Sequence, residues 1–103
     1  MLDSSIIQQV SDIFRNLEAD YTLLARISSQ REEAAQMREF LSDFASTSPR
    51  IKVEFAEADG DMLAFDIIKG GEHTGVTFRG IPNGHEFTSL LLALLNADGK
   101  GKN

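Results

Sequence analysis

The chain has no cysteine, so disulfide staples, thiolate metal sites and any mechanism that passes electrons through a protein thiol are excluded at the outset. Basic residues are few, ten against sixteen acidic ones, and they are scattered. A formal charge of −6 without a basic face argues against nucleic acid and against an anionic membrane surface as partners. No run approaches the ~18 to 20 apolar residues of a membrane span. The opening MLDSSIIQQV also lacks the basic start and long apolar stretch of a secretory signal, so the expected location is the cytoplasm.

What is present is enough for one core: 103 residues, 42% of them hydrophobic. Ile6, Val10, Ile13 and Leu17, flanked by Ile7 and Phe14, recur at steps of three and four and predict a helix over roughly Asp3 to Glu18, with Ser5 and Gln8 as its capping box. YTLLARI, from Tyr21 to Ile27, is a short and nearly continuous apolar run, the pattern of a strand covered on both faces. Ser29 with Glu32 offers a second capping box, and Ala34, Met37, Phe40, Leu41, Phe44 and Ala45 trace a helix that Pro49 closes. In IKVEF, Ile51, Val53 and Phe55 alternate with Lys52 and Glu54, which suits a strand near a sheet edge.

EADGD reads as a turn; it has neither the regular acidic spacing nor the closing glutamate of a calcium loop. MLAFDIIK and HTGVTFR, separated by Gly70 and Gly71, predict two strands joined by a hairpin turn. Last comes GIPNGHEFTSLLLALL, a turn rich in glycine and proline that runs into a helix, with Asn83 as its expected cap and Glu86 at the third position. At ~100° per residue from Phe87, Leu90, Leu91 and Leu94 form a core stripe with Leu95 at its edge, whereas Leu92 points away. A helix apolar on so many sides needs a second surface to cover it.

Helix, strand, helix, strand, strand, strand, helix is the order of an α/β, thioredoxin-like fold: a leading helix, then β-α-β and β-β-α around a four-stranded mixed sheet. A ferredoxin-like sandwich has the same elements but needs each helix between a different pair of strands, which the adjacent third and fourth strands disfavour. The expected organisation is a half-domain over 1–96 and a polar tail or linker over 97–103. Gly99 and Gly101 with their lysines resemble a phosphate loop only in composition, since no strand precedes them and no helix follows.

From the hairpin onward, and most specifically in GHEFTSL, the sequence resembles the N-terminal domain of the flavoprotein subunit of alkyl hydroperoxide reductase. That resemblance implies the first, cysteine-free member of two tandem thioredoxin-like halves. The implied partners are a second half carrying Cys-x-x-Cys, a flavin body and a peroxiredoxin; FAD and NADH are implied for the parent protein and no cofactor for this stretch. The implied role is a noncatalytic scaffold in an NADH-dependent disulfide reductase. A stand-alone thioredoxin-fold adaptor that binds a protein partner is the alternative, and no nucleophile-and-base pair supports a hydrolase or transferase.

Two departures from a working thioredoxin fold are legible. SSQREE stands where the cysteine pair would be, and Asp61 to Ala64 replace the proline that usually precedes the third strand, so that peptide is expected to be trans. Glu86 is the one candidate auxiliary catalytic residue: besides the cap, its match to the family implies a carboxylate pointing at the second half's cysteines, able to accept a thiol proton. His85, His73 and Arg79 read as surface or capping residues, with no second histidine at ligand spacing.

Overall fold

A computed structural model describes residues 2–99. Its elements run α1 (Ser4–Ile13), β1 (Tyr21–Ile27), α2 (Ala34–Ala45), β2 (Ile51–Glu57), β3 (Leu63–Lys69), β4 (Glu72–Arg79) and α3 (His85–Ala97). The strands lie in the order β2-β1-β3-β4. β1 runs parallel to β2 and antiparallel to β3, and β4 returns antiparallel along β3. This is the expected thioredoxin-like arrangement, with β2 and β4 as the two edges.

The core lies on one side of the sheet. Tyr21, Leu23, Ala25 and Ile27 of β1 alternate inward, and their register partners Ile51, Leu63, Phe65 and Ile67 join them. Over this face lie Val10 of α1 and Phe14 at its C-terminal cap, Met37, Phe40, Leu41 and Phe44 of α2, and Leu90 and Leu94 of α3. Phe44 sits at the centre, edge-on to Phe14 at 5.8 Å and to Phe87 at 6.1 Å, so one aromatic cluster ties all three helices together. The opposite face carries Thr22, Leu24 and Arg26, which are only half-buried. β1 is therefore covered on one face, not two. Its apolar run includes Leu24, which gains only partial cover there because the described elements form two layers.

Each helix starts differently from its expected capping box. α1 is capped by Asp3, whose Oδ1 accepts the Ile6 N–H at 2.9 Å, while Gln8 donates to Asp12 instead. It also stops at Ile13, with Phe14 as its C-terminal cap, whose N–H still bonds the Val10 carbonyl at 3.0 Å while its ring is buried beside Val10. α2 begins beyond Glu33 without a side-chain cap, because Ser29 gives both its N–H and its hydroxyl to Glu57. Gly84 is the N-terminal cap of α3, and Asn83 contributes only its carbonyl, to the Glu86 N–H at 2.9 Å. Gly84 has φ +56, a conformation that favours glycine, and with no side chain at that position the box with Glu86 does not form.

Candidate functional site

The corner between the C-terminal end of β1 and the start of α2 is where a thioredoxin fold holds its reactive thiols. Here it is held by Ser28, Ser29, Gln30 and Arg31. Ser28 is buried, and its hydroxyl donates to the Gly60 carbonyl at 2.6 Å while its N–H reaches the Met62 carbonyl at 2.7 Å. Arg31 donates through Nη1 to the Asp61 carbonyl at 2.8 Å and pairs through Nε with Glu33, which holds the Glu33 carboxyl below its usual range. The segment that precedes β3 is thus bound to the β1–α2 loop by side chains and backbone together, and the described residues contain no cis peptide bond. A cleft of about 500 Å³ remains beside it, lined by Arg31, Asp59, Asp61, Met62, Arg79 and Gly80. It holds no nucleophile with a neighbouring base. Arg79 makes only a long contact with the Met62 sulfur, 3.9 Å, and is otherwise exposed.

Glu86 lies in the first turn of α3, exposed, with His85 exposed beside it. The positive helix end favours a carboxylate there. An apolar hollow of about 490 Å³ adjoins this turn, formed by Leu2, Ile6, Phe40, Ile81, Pro82 and Phe87. Further along α3, Leu90 and Leu94 are fully buried and Leu92 is 46% exposed, as the helical phase predicts. Leu92 stands at the rim of a groove of about 540 Å³ between α3 and β4, whose floor is Thr74, Val76 and Phe78.

Two polar clusters escaped the sequence reading. Asp66 is buried on the open sheet face, where its Oδ1 accepts from the Thr77 hydroxyl at 2.6 Å and from Arg26 Nη2 at 2.9 Å; His73 Nε2 lies 3.6 Å away. Burial pushes the Asp66 carboxyl up, but the Thr77 bond and the Arg26 charge outweigh it and leave the pKa below the usual value. Its signal was a carboxylate inside the apolar run MLAFDIIK. The second cluster is a clasp. Asp98, just past α3, accepts from the backbone N–H groups of Glu18 and Ala19, each at 2.9 Å, and from the Tyr21 hydroxyl at 2.8 Å. α3 itself runs through Ala97, one residue past the expected boundary at 96, whereas Gly101 lies outside the described residues. Among those residues, no cluster of three or more acidic or histidine side chains is placed to hold a metal ion, EADGD included. No helix among them is long and apolar enough to cross a membrane.

No family profile matches the chain. Over 100 residues, 97% of its length, it is 34% identical to the AhpF component of alkyl hydroperoxide reductase from Staphylococcus aureus. Over 101 residues it is 40% identical to a Bacillus subtilis protein named NADH dehydrogenase. It spans 19% of the length of each of these relatives. Among solved structures, the NTD_N/C domain of alkylhydroperoxide reductase AhpF from Enterococcus faecalis superposes with a TM-score of 0.88 at 31% identity, over all of this chain and 56% of that one. A variant of AhpF from the same organism gives a TM-score of 0.86 at 32% identity, over 99% of this chain and 55% of that one. By sequence along nearly its whole length and by fold, the chain is a homologue of the thioredoxin-like N-terminal domain of the alkyl hydroperoxide reductase component AhpF.

Proposed function

We propose that this chain is the noncatalytic first half of an electron-shuttle domain. It scaffolds a second thioredoxin-like half whose Cys-x-x-Cys pair carries electrons from a flavin body to a peroxiredoxin. The observation that carries the reading is the occupied corner. Ser28 and Arg31 hold the carbonyls of Gly60 and Asp61, and the chain has no thiol to attack a disulfide. FAD and NADH belong, on this reading, to the parent protein, which works in the cytoplasm. Glu86, exposed on the first turn of α3, is its contribution to the chemistry: a carboxylate facing the partner's cysteines accepts a thiol proton and raises the thiol pKa by like-charge repulsion.

The test uses the full-length protein with and without residues 1–99. Both forms should take electrons from NADH into the flavin, while only the intact form should pass them efficiently to the peroxiredoxin. Equal transfer rates would overturn the scaffold role. In the intact protein, Glu86→Gln should lower the thiol pKa read from alkylation rate against pH, and an unchanged pKa would remove Glu86 from the redox chemistry. The adaptor reading predicts instead a partner bound through the exposed Leu92 face with no effect on electron transfer.

A further inference from the structure

Asn83 is the one asparagine in this sequence that a glycine follows. The carbon of an asparagine amide is an electrophile within reach of the backbone nitrogen of the next residue, and only glycine leaves that nitrogen without a Cβ beside it. Both partners are accessible here. Asn83 and Gly84 are exposed, and a Cβ added at Gly84 would meet no atom within 4 Å. Among the described residues the Gly84 N–H has no acceptor and the Asn83 side-chain amide has no partner. The comparable sites are held. Leu17, after Asn16, gives its N–H to the Phe14 carbonyl at 3.2 Å, and Ala97, after Asn96, lies inside α3. Asp59–Gly60 and Asp98–Gly99 have no amide to lose, and the Gly99 N–H is bonded to the Asn96 carbonyl at 3.0 Å.

We propose that Asn83–Gly84 is a site of spontaneous deamidation that alters the start of α3. The Gly84 nitrogen gives up its proton to solvent base and attacks Asn83 Cγ. The N–Cγ bond forms, the Cγ–Nδ2 bond breaks, and Nδ2 takes up a proton and leaves as ammonia, which closes a succinimide. Water then opens that ring at either carbonyl carbon. Addition at Cγ gives aspartate, addition at the backbone carbonyl carbon gives isoaspartate, and no oxidant or reductant is consumed. The Asn83 carbonyl accepts the Glu86 N–H at 2.9 Å, so the products act on the first turn of the helix. Isoaspartate lengthens the backbone ahead of Gly84 and displaces that acceptor. Both products place a second carboxylate beside Glu86, at a helix end whose positive pole favours it. The inference stands apart from the scaffold reading, since it needs neither a second half nor a redox partner.

Incubation of the intact protein at neutral pH, with its peptides mapped by mass spectrometry over time, tests this. The peptide holding Asn83 should gain the mass difference between –NH2 and –OH and become a substrate for an isoaspartyl methyltransferase, while those holding Asn16 and Asn96 stay unchanged. Gly84→Ala should slow the conversion about tenfold or more, because the added Cβ crowds the attacking nitrogen. Asn83→Gln keeps the glycine of the turn but must close a larger ring, so it should form no isomerised product there, and it decides the matter should the alanine variant fail to fold. Conversion of Asn16 or Asn96 ahead of Asn83 overturns the proposal. So does aspartate without isoaspartate, or an unchanged rate in folded Gly84→Ala, since either would mean that the Gly84 nitrogen does not attack.

Discussion

The Asp98 clasp gives the sharpest test of how the fold is held. One carboxylate accepts two donors from the α1–β1 connection and one from the first residue of β1, at 2.8 to 2.9 Å, 77 to 80 residues away in sequence. Hydrogen bonds to a charged acceptor contribute roughly 1.5–3 kcal/mol each where water cannot replace them. Water can reach the exposed Glu18 N–H, but the Ala19 N–H and the Tyr21 hydroxyl are partly buried. Asp98→Ala should therefore cost about 2–4 kcal/mol, a fall in Tm on the order of 10–20 °C for a domain of this size. Urea unfolding followed by circular dichroism measures it. Tyr21→Phe, made alone and together with Asp98→Ala, should show a coupling of about 0.5–1.5 kcal/mol. A loss below ~0.5 kcal/mol in Asp98→Ala, or additivity within ~0.3 kcal/mol in the double variant, would refute the clasp. The same contact makes a prediction in alkali. Burial first, and then the bond and charge of Asp98, push the Tyr21 hydroxyl well above its ordinary pKa. A raised pKa gives stability that is complete below the unfolded value of ~10 and is lost as pH rises toward the folded value. Stability should therefore fall above about pH 10, and less steeply in Tyr21→Phe.

Two further substitutions probe the remaining features. Asp66→Asn keeps an acceptor for Thr77 but removes the charge opposite Arg26, and should cost about 1–2 kcal/mol. Because the folded Asp66 pKa is depressed, its contribution is present above the unfolded value of ~3.9 and is lost as pH falls, so the asparagine variant should lose less of its stability on acidification, as chemical unfolding at a series of pH values would read. Gly84→Ala meets no atom within 4 Å, yet it must hold φ +56, so about 1–2 kcal/mol of strain should appear as a lower urea midpoint with an unchanged m-value.

The strands are legible in the sequence because their signals are short-range and redundant. β1 occupies the same residues as the run YTLLARI, and Gly70–Gly71 locates the hairpin between β3 and β4, both at positive φ. Residues 87 to 95 give the phase of α3 for the same reason, since the contrast between Leu92 and its neighbours is set by helical geometry alone. The caps are not legible. A serine three residues before a glutamate or glutamine competes with partners that local spacing cannot reveal, and Ser29 finds Glu57 across the fold. Asp98 reads as part of a polar tail because nothing within four residues of it marks a carboxylate whose donors lie in the α1–β1 connection and at the start of β1. Arg31 is likewise one of several charges in SSQREE until the fold brings the Asp61 carbonyl against it.

These long-range contacts engage the backbone at one corner of the sheet and leave one of its edges exposed. At the β1–α2 corner, the backbone acceptors a thioredoxin-like fold would offer to a bound peptide are already taken: Gly60 by Ser28, Asp61 by Arg31 and Met62 by the Ser28 N–H. An extended substrate approaching there would meet carbonyls that already hold one donor each, and no thiol to react with. The opposite situation holds at β4, which is an edge of the sheet among the described residues and lies beside the 46% exposed Leu92. A fold that had lost its chemistry but kept a substrate surface would leave the β1–α2 corner open. This one engages those carbonyls with its own side chains and leaves an edge and a groove exposed, as the scaffold role proposed above requires.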